Sequence, residues 1–247
     1  MSVDFCQQGR GYRNIVFDID DTLTDERAGL RRGFEAVERE FGLGKTWAEF
    51  AEVERRFWAD YRAGEVVKPA EYAGGDDGHG RSGADWVRAQ RFARLVGNDD
   101  LGRAYQMLDA FETAVRETVV PMPEAVEVLG YLKEKGYRLI AATDGVHDIA
   151  MRKLEAIGVL DKFEGVYSAH IVGVIKPNVE FFAPIFADYG SDRRSYLMVG
   201  NSLAADVLLA ENLGIDSVLV GRGEGGAGLA VRPTYRMESL AGLKGIL

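Results

Sequence analysis

Two aspartates that follow a short apolar run are the residues of this chain best suited to chemistry. Asp18 and Asp20 come directly after Ile15-Val16-Phe17, and polar turn-forming residues follow them. An apolar run of this composition is typical of a strand that is buried on both faces of a parallel sheet. Because alternate residues of a strand point to the same side, both carboxylates are expected to face one pocket, as nucleophile and helper acid. A turn or helix cap that uses them as hydrogen-bond acceptors is the competing interpretation.

Three more polar motifs follow apolar runs later in the chain. They are Thr143-Asp144-Gly145 after Ala142, Lys176 after Val174-Ile175, and Gly200-Asn201-Ser202, with Asp206 beyond, after Val199. Each motif alone is explained by a helix cap or by a solvated side chain. Together with the acid pair they place a hydroxyl, an ammonium and a further oxygen ligand at strand ends, which is what phosphoryl transfer requires.

The elements that must position these motifs are predicted from alternating periodicity. Amphipathic helical segments alternate with short apolar runs, around residues 139–142, 166–167, 196–199 and 217–220. This alternation predicts an α/β fold, a doubly wound parallel sheet with a Rossmann-like core. Residues 25–117 contain only helical patterns. We therefore expect a catalytic core of residues 1–24 and 118–247, with residues 25–117 inserted as an all-helical cap domain.

Composition narrows the classes of partner. The 247 residues carry a formal net charge of -9, which argues against nucleic acid and anionic membranes as partners. The single cysteine, Cys6, has no second cysteine with which to form an intrachain disulfide. The first fourteen residues lack the apolar stretch of a signal peptide, and no later run approaches the length needed to span a membrane. We expect a cytoplasmic protein that acts on a small molecule.

Two features of the helical segment bear on its role. Aromatic residues recur at helical spacing and predict the core of the cap: Trp47, Phe50, Phe57, Trp58 and Tyr61. Residues 72–83 read YAGGDDGHGRSG, which predicts a loop. Three residues are candidates to contact a substrate carboxylate or a second phosphate: His79, Arg81 and Arg88. The competing interpretation, which we expect, is that they are exposed residues of a loop or of a helix face.

The four motifs resemble those of the haloacid dehalogenase-like (HAD) hydrolase superfamily in sequence, order and spacing. They read FDIDDTL at 17–23, AATDG at 141–145, IKPNVEFF at 175–182 and VGNSLAADVLLAENLG at 199–214. The helical insert lies where that superfamily carries its smaller type of cap domain. The resemblance implies that Asp18 is a nucleophile that forms an aspartyl-phosphate, and that Asp20 is the general acid and base.

The same resemblance implies a phosphate site and a Mg²⁺ site. The phosphoryl oxygens would be bound by Thr143, the main-chain amides of Asp144 and Gly145, and the Lys176 ammonium. The Mg²⁺ ligands would be the Asp18 carboxylate, the Asp20 main-chain carbonyl and the Asn201 side chain. A buried Lys176 needs a counterion, and Asp206 is the expected one, in a supporting role.

Position 201 departs from the pattern of the superfamily. Asn201 stands where metal-dependent members usually have aspartate, so we expect weaker metal binding. The expected function is Mg²⁺-dependent hydrolysis of a small phosphate ester. A 2-haloacid dehalogenase would use Asp18 without metal, but that branch typically lacks an acid at the position of Asp20. A phosphomutase and a non-catalytic module that binds a phosphorylated ligand also remain open.

Overall fold

The structure, a computed structural model, describes residues 11–67, 81–224, 228 and 230–247. Contacts within the chain divide it into two compact units. One unit comprises Met1–Glu26 and Val119–Leu247, and the other is Arg27–Thr118. The expectations for Cys6, for His79 and for most of the glycine-rich segment 72–83 lie outside the described residues.

A parallel sheet, with six strands over the described residues, forms the centre of the first unit. The strands are β1 (Asn14–Phe17), β2 (Arg138–Thr143), β3 (Phe163–Ser168), β4 (Tyr196–Ser202), β5 (Asp216–Glu224) and β6 (Tyr235–Met237). Their order across the sheet is β3-β2-β1-β4-β5-β6, and every neighbouring pair runs parallel. The predicted α/β fold is confirmed. Because β1 lies between β2 and β4, the carboxyl ends of three motif-bearing strands are adjacent.

Helices pack on both faces of this sheet because the side chains of the strands alternate. The helices are α5 (Ala125–Glu134), α6 (His147–Ala156), α7 (Ala169–Val172), α8 (Ala183–Tyr189) and α9 (Leu208–Leu213). Phe17 of β1 belongs to one core, with Leu132 of α5 and Leu154 of α6. Its neighbour Val16 belongs to the other core, with Leu209 of α9. Burial on both faces accounts for the apolar sequence of β1.

The segment between β1 and α5 contains four helices among its described residues. They are α1 (Glu26–Phe41), α2 (Trp47–Arg62), α3 (Gly83–Val96) and α4 (Leu101–Glu117). Helix α1 ends before Gly42, which has a φ of +57° that suits glycine. Helices α2 and α3 begin with capping boxes, Thr46 with Glu49 and Ser82 with Asp85. Local sequence therefore sets several of these helix boundaries.

The predicted aromatic core of this helical segment is confirmed for two of its members. Phe50 and Phe57 are fully buried, whereas Tyr61 is 42% exposed. The ring of Phe50 stacks on those of Phe34 and Phe92, with centroid distances of 5.2 and 5.8 Å. The remaining predicted members, which are partly buried, are Trp47 and Trp58. These aromatic residues therefore fill the interior of the helical unit.

A buried ion pair and a close glycine contact also hold the helical unit together. Arg91 is 4% exposed, and its Nη1 donates to both carboxylate oxygens of Glu54, at 2.7 and 3.0 Å. The guanidinium carbon of Arg91 lies 5.3 Å from the ring centroid of Phe111. A Cβ built on Gly33 would come within 2.6 Å of the Phe111 ring. Helices α1 and α4 therefore approach too closely at this point to accommodate a larger residue.

The structure corrects the prediction in two places along the sheet. Val174-Ile175 do not form a strand; Ile175 is 62% exposed, and Lys176 therefore lies on the loop after α7. The edge strand β6 has no counterpart in the sequence prediction because its three residues are too few to show a periodicity.

Helices α8 and α9 are each preceded by a turn of different helical geometry. The 3₁₀ turn Val179–Phe182 precedes α8, and the π-helical turn Leu203–Val207 precedes α9. Within the described ranges, no helix is both long enough and apolar enough to cross a membrane.

Candidate active site

Asp18 lies at the centre of the motif-bearing edge because β1 is flanked there by β2 and β4. Its main-chain N–H donates to the carbonyl of Val199 at 2.9 Å, which continues the pairing with β4 one residue beyond the strand. The chain then turns, and the N–H of Leu23 donates to the carbonyl of Ile19 at 2.8 Å. Asp18 is 7% exposed, so its carboxylate is nearly removed from water.

Lys176 supplies the buried positive charge next to Asp18. Its Nζ donates to Asp18 Oδ1 and Asp206 Oδ1, both at 2.7 Å, and to the carbonyl of Ala142 at 3.1 Å. The three ammonium protons thus have three acceptors. Burial acts to lower the pKa of Lys176, but Asp18 and Asp206 outweigh it and raise that pKa. The ammonium therefore remains charged although it is buried.

Asp206 is held in place by the end of β4 and the π-helical turn that follows. Its Oδ2 accepts a hydrogen bond from the main-chain N–H of Ser202 at 3.0 Å, and the residue is 1% exposed. A Cβ built on Gly200 would lie 2.1 Å from this oxygen. Glycine at position 200 therefore creates the space that the counterion of Lys176 occupies. The π-helical turn is of a kind that often marks functional sites.

The motif at the end of β2 brings three predicted phosphate ligands next to Lys176. Thr143 is 1% exposed, and its Oγ1 accepts a hydrogen bond from the N–H of Gly145 at 3.0 Å. Two of the predicted ligands are thus bonded to each other. The side chain of Asp144 accepts a hydrogen bond from the N–H of Lys176 at 2.8 Å. This bond ties the loop that carries Lys176 to the end of β2.

Asn201 and Asp18 are brought together by Thr22, which lies inside the motif FDIDDTL but had no role in the sequence prediction. This fully buried threonine donates from Oγ1 to Asp18 Oδ2 at 2.9 Å, and the same atom lies 3.5 Å from Asn201 Oδ1. The carboxylate and amide oxygens therefore meet at one hydroxyl. With the Asp20 carbonyl, the expected ligands are all oxygen atoms, which fits a hard cation such as Mg²⁺. Over the described residues, no group of three or more His, Cys, Asp and Glu side chains could hold a metal ion.

Asp20 contacts a second lysine, which sequence reasoning also missed. Lys153 of α6 donates from Nζ to Asp20 Oδ1 at 2.5 Å and to Glu26 Oε2. Its side chain is 14% exposed. One sequence signal was available, because Lys153 borders the apolar stripe of α6 formed by Ala150 and Leu154.

The pKa values of the acidic residues diverge with their surroundings. Burial raises the pKa of Asp18 to about 7, although Lys176 acts against the rise. Burial acts on Asp20 in the same direction, but Lys153 outweighs it and the pKa of Asp20 is lowered. Burial and then the neighbouring Asp20 raise the pKa of Glu26 to about 7. The side chain of Asp20 is therefore the one held most firmly in its charged form.

The two described candidates for contacts with substrate in the helical unit are engaged in ion pairs. Arg81 donates from Nη1 to Asp109 at 2.7 Å. Arg88 forms ion pairs with Asp85 at 2.6 Å and Glu112 at 2.7 Å. These pairs fix both guanidinium groups on the helical unit itself.

Comparison with known proteins finds relatives over nearly the whole chain. The family model for haloacid dehalogenase-like hydrolases matches residues 12–214, which confirms the resemblance of the four motifs. The pyrimidine 5'-nucleotidase YjjG of Escherichia coli (strain K12) is 28% identical over 236 residues, covering 94% of this chain and 96% of the relative. The ribulose-1,5-bisphosphate 5-phosphatase of Halopiger xanaduensis is 28% identical over 210 residues, 83% of each chain.

Solved structures give the same fold. The magnesium-bound HAD-hydrolase YfnB from Bacillus subtilis superposes with a TM-score of 0.78 at 20% identity, over 96% of this chain and 98% of that one. A dehalogenase with a bound intermediate gives a TM-score of 0.68 at 17% identity, over 96% and 97% of the two chains. The fold alone does not identify the reaction, which depends on the residues of the site.

Proposed function

The chain belongs to the haloacid dehalogenase-like hydrolases, and we propose that it is a Mg²⁺-dependent phosphatase that hydrolyses a small phosphorylated metabolite. Two relatives that match most of this chain are a pyrimidine 5'-nucleotidase and a ribulose-1,5-bisphosphate 5-phosphatase. The strongest structural support is the presence of two separately paired acids at one strand end, Asp18 with Lys176 and Asp20 with Lys153. This arrangement gives one carboxylate to the phosphorus atom and one to the leaving oxygen.

Asp18 is the proposed nucleophile. One of its carboxylate oxygens forms a bond to phosphorus while the bond from phosphorus to the leaving oxygen breaks, and water then hydrolyses the aspartyl-phosphate. The carboxylate is oriented from both sides, because Lys176 binds Oδ1 and Thr22 binds Oδ2. The Lys176 ammonium also lowers the repulsion between the carboxylate and an anionic phosphate.

Asp20 is the proposed general acid and base. It must first take up a proton, which Lys153 opposes and the approach of an anionic phosphate favours. It then donates that proton to the leaving oxygen in the first step and accepts one from the attacking water in the second. Displacement of a halide from carbon needs no such proton, so the acid at position 20 favours a phosphatase over a dehalogenase. The proton-transfer role also explains why Asp20 is partly exposed whereas Asp18 is buried.

The phosphoryl oxygens are assigned to the end of β2 and to Lys176. Thr143 offers a hydroxyl, and Asp144 and Gly145 offer main-chain N–H groups at the start of the loop before α6. The side chain of Asp144 keeps Lys176 beside these groups. These four donors come from two neighbouring segments, and two of them must exchange partners to bind a phosphoryl group. The N–H of Gly145 has to leave Thr143 Oγ1, and Lys176 Nζ has to give up one of its three acceptors.

Mg²⁺ is assigned to the oxygen ligands at the ends of β1 and β4. Asp18 and Asn201 would hold it with their side chains, and Asp20 with its main-chain carbonyl. When bound, the cation supplies positive charge that offsets the repulsion between two anions and stabilises the transferring group. The neutral amide of Asn201 contributes one negative charge fewer than an aspartate, so the proposed site has a weaker affinity for the metal than an all-carboxylate one.

The proposal is tested by turnover of p-nitrophenyl phosphate, first without added metal and then with Mg²⁺ titrated into the millimolar range. We expect saturable activation by the metal in the wild type and loss of at least about a hundredfold in kcat for Asp18→Asn, because the amide is not a nucleophile. Equal activity of Asp18→Asn and the wild type would refute the proposed mechanism. An Asn201→Asp variant is expected to be activated at a lower Mg²⁺ concentration.

Each competing function gives a different result in the same set of assays. Chloride release from 2-chloropropionate without metal would establish a dehalogenase. Conversion of a hexose phosphate into its positional isomer would establish a phosphomutase. Tight binding of phosphate esters without turnover at any Mg²⁺ concentration would establish a binding module.

A further inference from the structure

Asp20 lies on a turn rather than on a strand, and its orientation is therefore not set by the sheet. Strand β1 ends at Phe17, and the residue after Asp20, Asp21, has a φ of +55°. The side chain of Asp20 is 36% exposed. A general acid must place its proton within hydrogen-bond distance of the leaving oxygen, so a partly exposed carboxylate on a turn needs an external restraint.

Lys153 of α6 provides such a restraint through an ion pair with Asp20. Its Nζ binds Asp20 Oδ1 at 2.5 Å, whereas the other oxygen, Oδ2, lies towards Gly145. A Cβ built on Gly145 would be 3.7 Å from Asp20 Oδ2 and 3.2 Å from Thr143 Oγ1. Oδ2 and the Thr143 hydroxyl thus flank the same small space beside the proposed phosphate ligands.

Glu26 also binds the Lys153 ammonium group and so fixes the lysine that contacts Asp20. Its carboxylate is a second acceptor for Lys153 Nζ, and its main-chain N–H donates to the side chain of Asp21 at 3.0 Å. The lysine is therefore fixed between two carboxylates that are linked through the same turn. Because Lys153 Nζ is bound to Asp20 and Glu26 rather than to the proposed nucleophile, its effect on catalysis passes through Asp20.

From this arrangement we infer that Lys153 is a positioning residue for Asp20: it binds Oδ1 and thereby directs Oδ2 to the leaving group and to the attacking water. The inference rests on the proposed function, since it takes Asp20 as the general acid and base. Glycine at position 145 completes the arrangement because it leaves open the space that Oδ2 faces.

The test compares leaving groups. An alkyl phosphate such as β-glycerol phosphate needs a proton on its leaving oxygen, whereas p-nitrophenolate leaves without one. We expect Lys153→Met to lower kcat/KM for β-glycerol phosphate by about 30-fold, a part of the 10²–10⁴-fold that a general acid contributes, and for p-nitrophenyl phosphate by about threefold or less. The ratio kcat/KM is used because it reports transfer to the enzyme rather than the later hydrolysis.

Three further variants separate positioning from structural damage. Lys153→Arg keeps the cation and is expected to recover most of the activity on the alkyl phosphate. Lys153→Met added to Asp20→Asn is expected to cost less than about twofold more, because the residue through which it acts is already lost. The matched control is Lys133→Met. Lys133 lies on α5, outside the proposed site, and its Nζ pairs with Glu164 at 2.6 Å. We expect this variant to have the kcat/KM of the wild type on both substrates.

Equal losses on both substrates for Lys153→Met, or an undiminished loss in the Asp20→Asn background, would overturn the inference while leaving the proposed function in place. Failure of the wild type to hydrolyse either substrate would instead refute the proposed function, and the inference with it. Selective loss on the alkyl phosphate that disappears in the Asp20→Asn background would support both.

Discussion

Replacement of Asp206 by asparagine is the most direct test of the ion pairs that stabilise the buried candidate site. Asp206→Asn preserves shape and removes one negative charge from a residue that is 1% exposed. Its two oxygens accept from Lys176 Nζ at 2.7 Å and from the N–H of Ser202 at 3.0 Å, so an amide must turn its NH₂ group towards one of these donors. The substitution therefore loses an ion pair and creates a donor–donor contact.

The expected cost follows from the distance and the burial. At 2.7 Å and an effective dielectric constant of 20, Coulomb's law gives about 6 kcal/mol of attraction before any desolvation cost is subtracted. Removal of one partner from a buried pair typically costs about 3–5 kcal/mol. Because Lys176 keeps its bond to Asp18, we expect Asp206→Asn to lower the free energy of unfolding by about 3 kcal/mol, at the lower end of that range.

The sign of the effect is expected to reverse when Lys176 is absent. In a Lys176→Met background, Asp206 is a buried carboxylate without a cation, so its replacement by asparagine removes an unfavourable charge and is neutral or stabilising. Urea unfolding of the wild type, the two single variants and the double variant gives this coupling energy as a double-mutant cycle. Asp161→Asn, at an exposed position, is the control. An equal cost of Asp206→Asn in both backgrounds would refute the reasoning.

Three further outcomes are expected. Because burial raises the pKa of Asp18 from 3.8 to about 7, the folded wild type binds this proton more tightly and loses stability as the pH rises between these two values. Asp18→Asn lacks this loss, so urea unfolding in EDTA should show its stability rising relative to the wild type with pH; parallel curves would contradict the assignment. Arg91→Met should destabilise the protein by about 3 kcal/mol, since it leaves the Glu54 carboxylate without its cation in the helical unit. Its control is Arg56→Met, which breaks an exposed ion pair with Glu52 and should leave the urea midpoint unchanged. Gly33→Ala should lower the free energy of unfolding, measured with urea, by roughly 1–3 kcal/mol because its Cβ would meet a ring at 2.6 Å. Gly130→Ala, with open space in helix α5, should instead raise it by roughly 0.5–1 kcal/mol in the same assay.

The sequence determined the fold class and most members of the candidate site because both follow from local patterns. The apolar run before Asp18 is buried on both faces, which a strand in the middle of a parallel sheet requires. Thr143 and Asn201 lie in strands that flank β1, and parallel strands bring their carboxyl ends to one edge. Motifs that are 120 or more residues apart in the chain can therefore be assigned to one site without knowledge of any distance.

The tertiary structure decided how the charged groups are paired. Lys176 lies on a loop rather than at a strand end, and the hydrogen bond from its N–H to Asp144 fixes its place. The contact between Lys153 and Asp20 joins residues 133 positions apart, and no periodicity encodes it.

Periodicity records which face of an element is buried, because burial of apolar side chains repeats along the element. A single ion pair between two elements leaves no such repeat. Its existence depends on how α6 packs on the sheet and on where the turn after β1 directs Asp20. The sequence by itself therefore identified the two aspartates, and only the folded chain determined which lysine each of them contacts.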